Sequence, residues 1–135
     1  MKLPKELILD YNVWICGAPS PKSDVSNVLG EGETNLLNSE GYMCCLGQFC
    51  EQAGFDKENL LQIPKPSFLK ETIEGLTGIH TAKYSTYHDT HMSIIAMSIN
   101  DTTYTTVARK ADLLKELLKE HGYTLRLVNF PKEKQ

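Results

Sequence analysis

The stretch GYMCCLGQFCEQAGF, residues 41–55, decides how the chain is interpreted, because it holds three of the four cysteines. Its apolar residues recur at the spacing of one helical face: Tyr42, Leu46, Phe49, Cys50 and Ala53. This spacing predicts an amphipathic helix that Gly54 ends. Gly47 lies inside the helix, where glycine costs about 1 kcal/mol relative to alanine. We therefore expect another segment of the chain to approach closely at Gly47.

The cysteines of this stretch admit three interpretations. As small apolar side chains they would fill a core, which suits Cys50 because it falls on the apolar face. As zinc ligands, Cys44 and Cys50 would act with His88 and His91, but these cysteine spacings differ from those of structural zinc sites. As a nucleophile, Cys44 would profit from a nearby helix start. We favour packing and expect no metal or other cofactor. The structural motif is then Cys44, Cys45, Leu46, Gly47 and Cys50.

Outward from this helix, the pattern predicts further helices between two terminal strands. Residues 6–16 alternate with period two and read as one long strand, and 123–130 read as another. The predicted helices besides the first are 67–78, 91–101 and 102–122. Ser67 would cap the first of these, and Asp89 or Thr90 the second. We predict an α+β class, with three to four helices packed on a small sheet that contains the N- and C-terminal strands.

The chain of 135 residues is expected to form one domain, 1–135, with a long flexible loop at 17–35 and a tail at 131–135. Two strands alone make a marginal sheet. We expect them to lean on the helices, to gain a strand from 79–87, or to pair with another subunit.

The composition of the chain limits the classes of partner that we expect it to bind. The net charge is −3 and arginine occurs only at Arg109 and Arg126, which disfavours nucleic-acid binding. No apolar run approaches the length of about 20 residues that spans a bilayer, so no membrane role is expected. The N-terminal sequence lacks the pattern of a signal peptide, which predicts a cytoplasmic protein with reduced cysteines.

The stretch MCCLGQFCEQAG resembles a CCLG-x-x-C-x-x-x-G signature in a family of short proteins from phages and prophage-rich bacterial genomes. Trp14 and Gly17 precede it, FLKETIEGLTG follows, and AMSIND then precedes the last helix, in the order of that family. The tryptophan that the family carries in its FLKETIEGLTG-like helix is missing here. The resemblance implies a phage or mobile-element origin, and hence the host cytoplasm, but no mechanism.

Candidate binding residues come from the polar and aromatic positions around these motifs. Asn100 and Asp101 are interpreted as a turn with local capping, or as a polar pair lining a pocket. Lys110 and Arg126 are interpreted as solvated surface charges, or as contacts to an anion. The predicted ligand-binding residues are Trp14, Lys83, Tyr84, Tyr87, Asn100, Asp101 and Arg109.

These observations predict a small non-enzymatic binding protein. It would act in counter-defence by sequestering a small nucleotide-like signal or by binding a host protein, and it would form a homo-oligomer through its sheet edge or helices. Two alternatives stay open. One is a zinc-dependent or thiol enzyme that uses Cys and His, and the other is a structural accessory protein of a phage.

Overall fold

The computed structural model describes residues 1–16, 35–79, 87–102 and 105–131. The class is α+β, as predicted. Single 3₁₀ turns lie at Lys57–Asn59 and Pro66–Phe68. The strands and helices are β1 (Glu6–Asp10), α1 (Cys45–Ala53), β2 (Thr77–Ile79), β3 (Tyr87–Asp89), α2 (His91–Asp101), α3 (Val107–Glu120) and β4 (Thr124–Val128). The predicted loop at 17–35, apart from Asn35, and the predicted tail after Pro131 lie outside the described residues.

The terminal strands pair with each other, as the sequence predicted. β1 and β4 run parallel, with Glu6 opposite Thr124 and Asp10 opposite Val128. β2 and β3 form a separate antiparallel pair and do not add a third strand to the first sheet. Helix α1 packs on β1, and α3 packs on β4 and on α2. The core lies between the helices and the β1–β4 pair, where Leu7 and Leu9 are fully buried.

The N-terminal strand is shorter than predicted. It ends at Asp10, whose carboxylate accepts a hydrogen bond from Asn12 N at 3.0 Å, and Trp14 N then donates to Tyr11 O at 3.3 Å. This turn breaks the period of two. Trp14 and the two residues after it are therefore all buried, instead of alternating between two faces.

The helix predicted at 67–78 is wrong. Ser67, which was expected to cap it, donates its backbone N–H and its hydroxyl to the Asp89 carboxylate at 2.9 and 2.8 Å. Further along, Ile73 N donates to Thr77 Oγ1 at 2.8 Å, and Gly75 adopts a positive φ of 101°. These contacts close turns in place of a helix, and the leucine and isoleucine side chains of the segment reach the core from an irregular backbone.

The other helices agree with the sequence. α1 begins after Cys44 and ends at Gly54, which has a φ of 122°. Thr90 caps α2, as one of the two predicted alternatives, by accepting a hydrogen bond from Ser93 N at 3.3 Å. Thr106 caps α3 by accepting one from Arg109 N at 3.2 Å. None of the described helices is long and apolar enough to cross a membrane.

Two glutamines of α1 close the outer edge of β1. Ile8 N donates to Gln52 Oε1 at 2.7 Å, and Gln52 Nε2 donates to Ile8 O at 2.8 Å. Asp10 N donates to Gln48 Oε1 at 2.7 Å, and Gln48 Nε2 donates to Asp10 O at 3.2 Å. The glutamines are four residues apart and so lie on one side of the helix, where their amides act as a substitute for a neighbouring strand.

Candidate functional site

The double-cysteine helix is held by a close approach of the chain at Gly47. A β-carbon at this position would lie 1.8 Å from the carbonyl oxygen of Leu36, so only glycine fits. The close approach predicted from the sequence is therefore present, and the approaching segment is Leu36. At the start of the helix, Gly47 N donates to Cys44 Sγ at 3.4 Å, so this thiol acts as the N-cap.

The four cysteines all lie inside the protein and none forms a disulfide. Cys45 Sγ contacts the carbonyl oxygen of Ala96 at 3.8 Å. Burial raises the pKa of the Cys45 and Cys50 thiols well above the ordinary value, and the neighbouring Cys44 raises both further. Because the thiolate is the nucleophilic form, these two thiols are poor nucleophiles near neutral pH.

Asn100 joins three segments of the chain through its side chain: the N-terminal segment, α1 and its own helix α2. Its Oδ1 accepts hydrogen bonds from Trp14 Nε1 at 2.8 Å and from Cys45 N at 2.9 Å. Its Nδ2 donates to Ile15 O at 3.2 Å and to Asp101 Oδ1 at 3.0 Å. These bonds extend beyond the local turn and capping that one interpretation proposed. It lies in the last turn of α2 and reaches both the N-terminal segment and the first turn of α1.

Lys110 is the residue that the sequence interpretation missed. It was interpreted as a solvated surface charge or as a contact to an anion, but it is fully buried. Its Nζ donates to Asn100 O at 2.9 Å and also to Cys16 O. Burial lowers the pKa of Lys110, and the nearby Cys16, Asp101 and Cys45 oppose that shift. The buried ammonium thus binds two backbone carbonyls, one in the last turn of α2 and the other in the N-terminal segment.

A signal for this burial exists in the sequence. Position 110 lies three residues after Val107 and four before Leu114, on the same stripe of α3 as the buried Ala111. The long stem of lysine usually carries its charge out to water, which is why the stripe alone did not identify it.

The other predicted ligand residues divide into three groups. Trp14 and Asp101 meet at Asn100 in the network described above. Arg109 is exposed in the first turn of α3, and Tyr87 lies in β3, where its hydroxyl donates to Lys70 O at 3.1 Å. The described hydrogen bonds of Arg109 and Tyr87 do not reach Asn100. Lys83 and Tyr84 lie outside the described residues.

The described residues hold no group of three His, Cys, Asp or Glu side chains arranged to bind a metal. Cys44 and Cys50 of the zinc alternative are buried, whereas His88 and His91 are exposed. Arg126, also assigned to an anion site or to the surface, pairs with Glu6 through Nε and Oε1 at 2.9 Å.

One concave surface is a groove of about 380 Å³, with apolar and charged walls, near the 3₁₀ turn at Pro66–Phe68. Phe68 lies at this groove with 62% of its surface exposed, the largest exposure among the large apolar residues of the described chain. Phe55, Ile63 and Leu69 line the groove, and its charged lining groups are Asp56, Lys70, Glu71 and the N-terminal ammonium of Met1. We call this surface the Phe68 groove.

A second cleft, of about 310 Å³, lies beyond the carboxyl ends of β1 and β4. Tyr11 and Phe130 contribute aromatic rings whose centroids are 5.1 Å apart, and Val107, Ala111 and Leu127 complete its apolar walls. Among the described residues that line the cleft, Asp112 alone is charged, so these residues offer no cation to an anionic ligand.

The function of this arrangement has to be inferred from the residues themselves. Comparison with known protein families, curated proteins and solved structures gives no match for the chain.

Proposed function

We propose that this chain is a non-enzymatic binding protein, and that the Phe68 groove receives an apolar or aromatic group of its ligand. The observation that carries the proposal is the exposed ring of Phe68 beside a groove large enough for a small molecule or for two or three side chains. Exposed aromatic residues at a concave surface are the usual anchors of recognition.

The state of the reactive residues supports binding over catalysis. The thiols are buried, and Trp14, Asn100 and Lys110 are engaged with one another or with backbone carbonyls. A nucleophile needs access to substrate and a neighbour that activates it. The raised pKa of Cys45 and Cys50 works against this requirement.

The lining of the groove indicates the kind of ligand. Asp56 and Glu71 are offset by Lys70 and by the N-terminal ammonium of Met1, so the charges of the lining favour neither sign of ligand. The ammonium of Lys65 also lies 5.6 Å from the centroid of the Phe68 ring. The ring and the apolar walls suit an apolar segment of a partner protein, or a small molecule with an aromatic ring.

The resemblance to phage proteins extends the proposal to a biological setting. In a phage-encoded protein, such binding would serve counter-defence in the host cytoplasm by sequestering a signal molecule or a host protein.

Native mass spectrometry of protein purified from the expression host tests the proposal. We expect the wild-type chain to carry a bound small molecule or partner, and Phe68→Ala to lose it. Ile94→Ala is the matched control, because Ile94 is 51% exposed but does not line the groove. Equal retention by both variants, or no bound species in the wild type, would contradict the proposal.

A further inference from the structure

We propose that the outer edge of β4 pairs antiparallel with β4 of a second copy of this chain, which would give a four-stranded sheet in the order β1-β4-β4′-β1′. The pairing uses a surface other than the Phe68 groove, so it stands or falls apart from the function proposed above.

The hydrogen bonds of the β1–β4 pair fix which backbone groups face outward. Thr124 N donates to Lys5 O at 2.9 Å, and Val128 O accepts from Tyr11 N at 2.9 Å. In a parallel pair, alternate residues turn both their N–H and C=O toward the neighbouring strand. Arg126 therefore faces β1 with its backbone, whereas Leu125 and Leu127 turn theirs away. No described residue bonds to these outward groups.

Unpaired backbone groups on a regular strand form a template for another strand. On the opposite edge of the same sheet, the two glutamines of α1 occupy the equivalent groups of Ile8 and Asp10. β4 has no such side chains over it among the described residues. Within the described part of the chain, the edge of β4 is thus the open one of the pair.

The composition of β4 matches a second copy of itself. Full overlap of the two strands sets Leu125 opposite Leu127′ and Thr124 opposite Val128′, so leucines meet leucines on one face and β-branched residues meet on the other. Leu127 also lines the cleft of about 310 Å³, so the leucine row of the incoming strand continues an apolar surface.

Charge decides whether identical strands can meet in this register, because Arg126 falls opposite Arg126′. Like charges directly opposite each other destabilise a strand pair. Here each guanidinium is already paired with Glu6 at 2.9 Å, so the two edges meet without an unbalanced charge. Glu6 therefore acts as the residue that makes the edge compatible with its own copy.

Sedimentation velocity over a wide concentration range, combined with amide hydrogen exchange, tests the pairing on the unmodified chain. We expect a monomer–dimer equilibrium in which the Leu125 and Leu127 amides become protected as concentration rises. The Thr124 and Arg126 amides, which face β1, should be protected throughout. A monomer at every concentration, with rapid exchange at Leu125 and Leu127, would overturn the proposal and leave the edge to a strand of another protein.

A pair of variants identifies the role of Glu6. Glu6→Gln should raise the Kd of the dimer about threefold to tenfold, more at low salt, because it uncovers two facing guanidinium groups. Glu58→Gln makes the same change in net charge at the 3₁₀ turn after α1 and should leave the Kd unchanged. Phe68→Ala should also leave it unchanged, since its groove lies elsewhere. Equal Kd values for Glu6→Gln and Glu58→Gln would contradict this register.

Discussion

The two outer edges of the β1–β4 sheet differ in how their backbone groups are satisfied. The edge of β1 is closed by the side-chain amides of Gln48 and Gln52, each of which both donates to and accepts from the strand. The edge of β4 has no equivalent cover among the described residues. The difference shows that a helix can complete one side of a minimal sheet with side chains alone, and the other side is where we propose that a second copy pairs.

Helix α1, which closes the edge of β1, is held at its first turn by Asn100. Removal of the Asn100 side chain should have the largest effect on stability. Asn100→Ala leaves Trp14 Nε1 and Cys45 N buried without an acceptor, and each such group costs about 1–3 kcal/mol. We expect a loss of about 3–5 kcal/mol in the free energy of unfolding, measured by urea denaturation. Ser98→Ala, at an exposed position of the same helix, should change it little. A loss below about 1 kcal/mol would show that the network is not needed for stability.

Gly47→Ala should be the next most severe change on the closed side. The new methyl group would overlap the Leu36 carbonyl, and because this neighbour is backbone, α1 has to move. We expect a cost of about 2–4 kcal/mol. Circular dichroism melting measures it. A melting temperature equal to that of the wild type would mean that the Leu36 segment does not press on α1.

Loss of the glutamine cover should convert the closed edge into an open one. Gln52→Ala exposes Ile8 N and O to solvent and should cost about 1–2 kcal/mol. Amide exchange at Ile8 should accelerate, while exchange at Leu7, which faces β4, should not. Gln62→Ala, at an exposed position outside the sheet, is the control. Unchanged exchange at Ile8 would contradict the role given to Gln52.

Alkaline pH should also lower the free energy of unfolding, through the thiols of α1, the helix that closes the edge of β1. The raised pKa of Cys45 and Cys50 means that their contribution is complete below the ordinary thiol pKa of about 8.5 and is lost as pH rises through it. Each thiol then removes about 1.4 kcal/mol per pH unit until its folded-state pKa is reached. Urea denaturation at several pH values measures this slope, and Cys50→Ala should reduce it.

Lys110 acts in the opposite direction in the same pH range. Because its pKa is lowered in the folded state, the unfolded chain binds more protons, and stability gained from this residue rises with pH up to the ordinary lysine value of about 10.4. Lys110→Met should therefore steepen the alkaline loss, whereas Cys50→Ala flattens it. Identical pH slopes in wild type and Lys110→Met would show that the pKa of Lys110 is not lowered.

The smallest effect on the stability of a single chain is expected at the edge of β4. Glu6→Gln removes an ion pair between side chains that are more than half exposed, so the monomer should lose no more than about 0.5 kcal/mol. Urea denaturation at low concentration measures this. A much larger loss would mean that the pair holds β1 to β4 rather than preparing the edge for a second copy.

Local signals in the sequence predicted much of this fold. The stripe of α3 and the caps at Thr90 and Gly54 each depend on residues a few positions apart. The close approach at Gly47 was indicated by a glycine inside a helical pattern, although the pattern did not identify Leu36 as its neighbour. The helix expected at 67–78 failed because Asp89, 22 positions away, binds Ser67. A pattern of short period holds no information on such a contact.

The site was harder to predict, for the same reason. Asn100 meets Trp14 and Cys45 at separations of 86 and 55 positions. The interpretation as a local turn used only neighbouring residues, so it could not identify these partners. Lys110 lies on a predicted buried stripe, but we interpreted it as a surface charge or an anion contact because lysine usually keeps its ammonium in water. The glutamine cover of β1 was invisible because it depends on the angle at which α1 meets the strand.

Because all four thiols are buried, the rate at which they react with an added reagent reports how often the protein opens transiently. A small alkylating reagent can reach a cysteine only in molecules that have opened, and each addition is counted as a mass increment. Occupation of the Phe68 groove or of the β4 edge would stabilise the native state and slow this labelling, so an unknown partner can be sought by its effect on the labelling rate without attaching a probe.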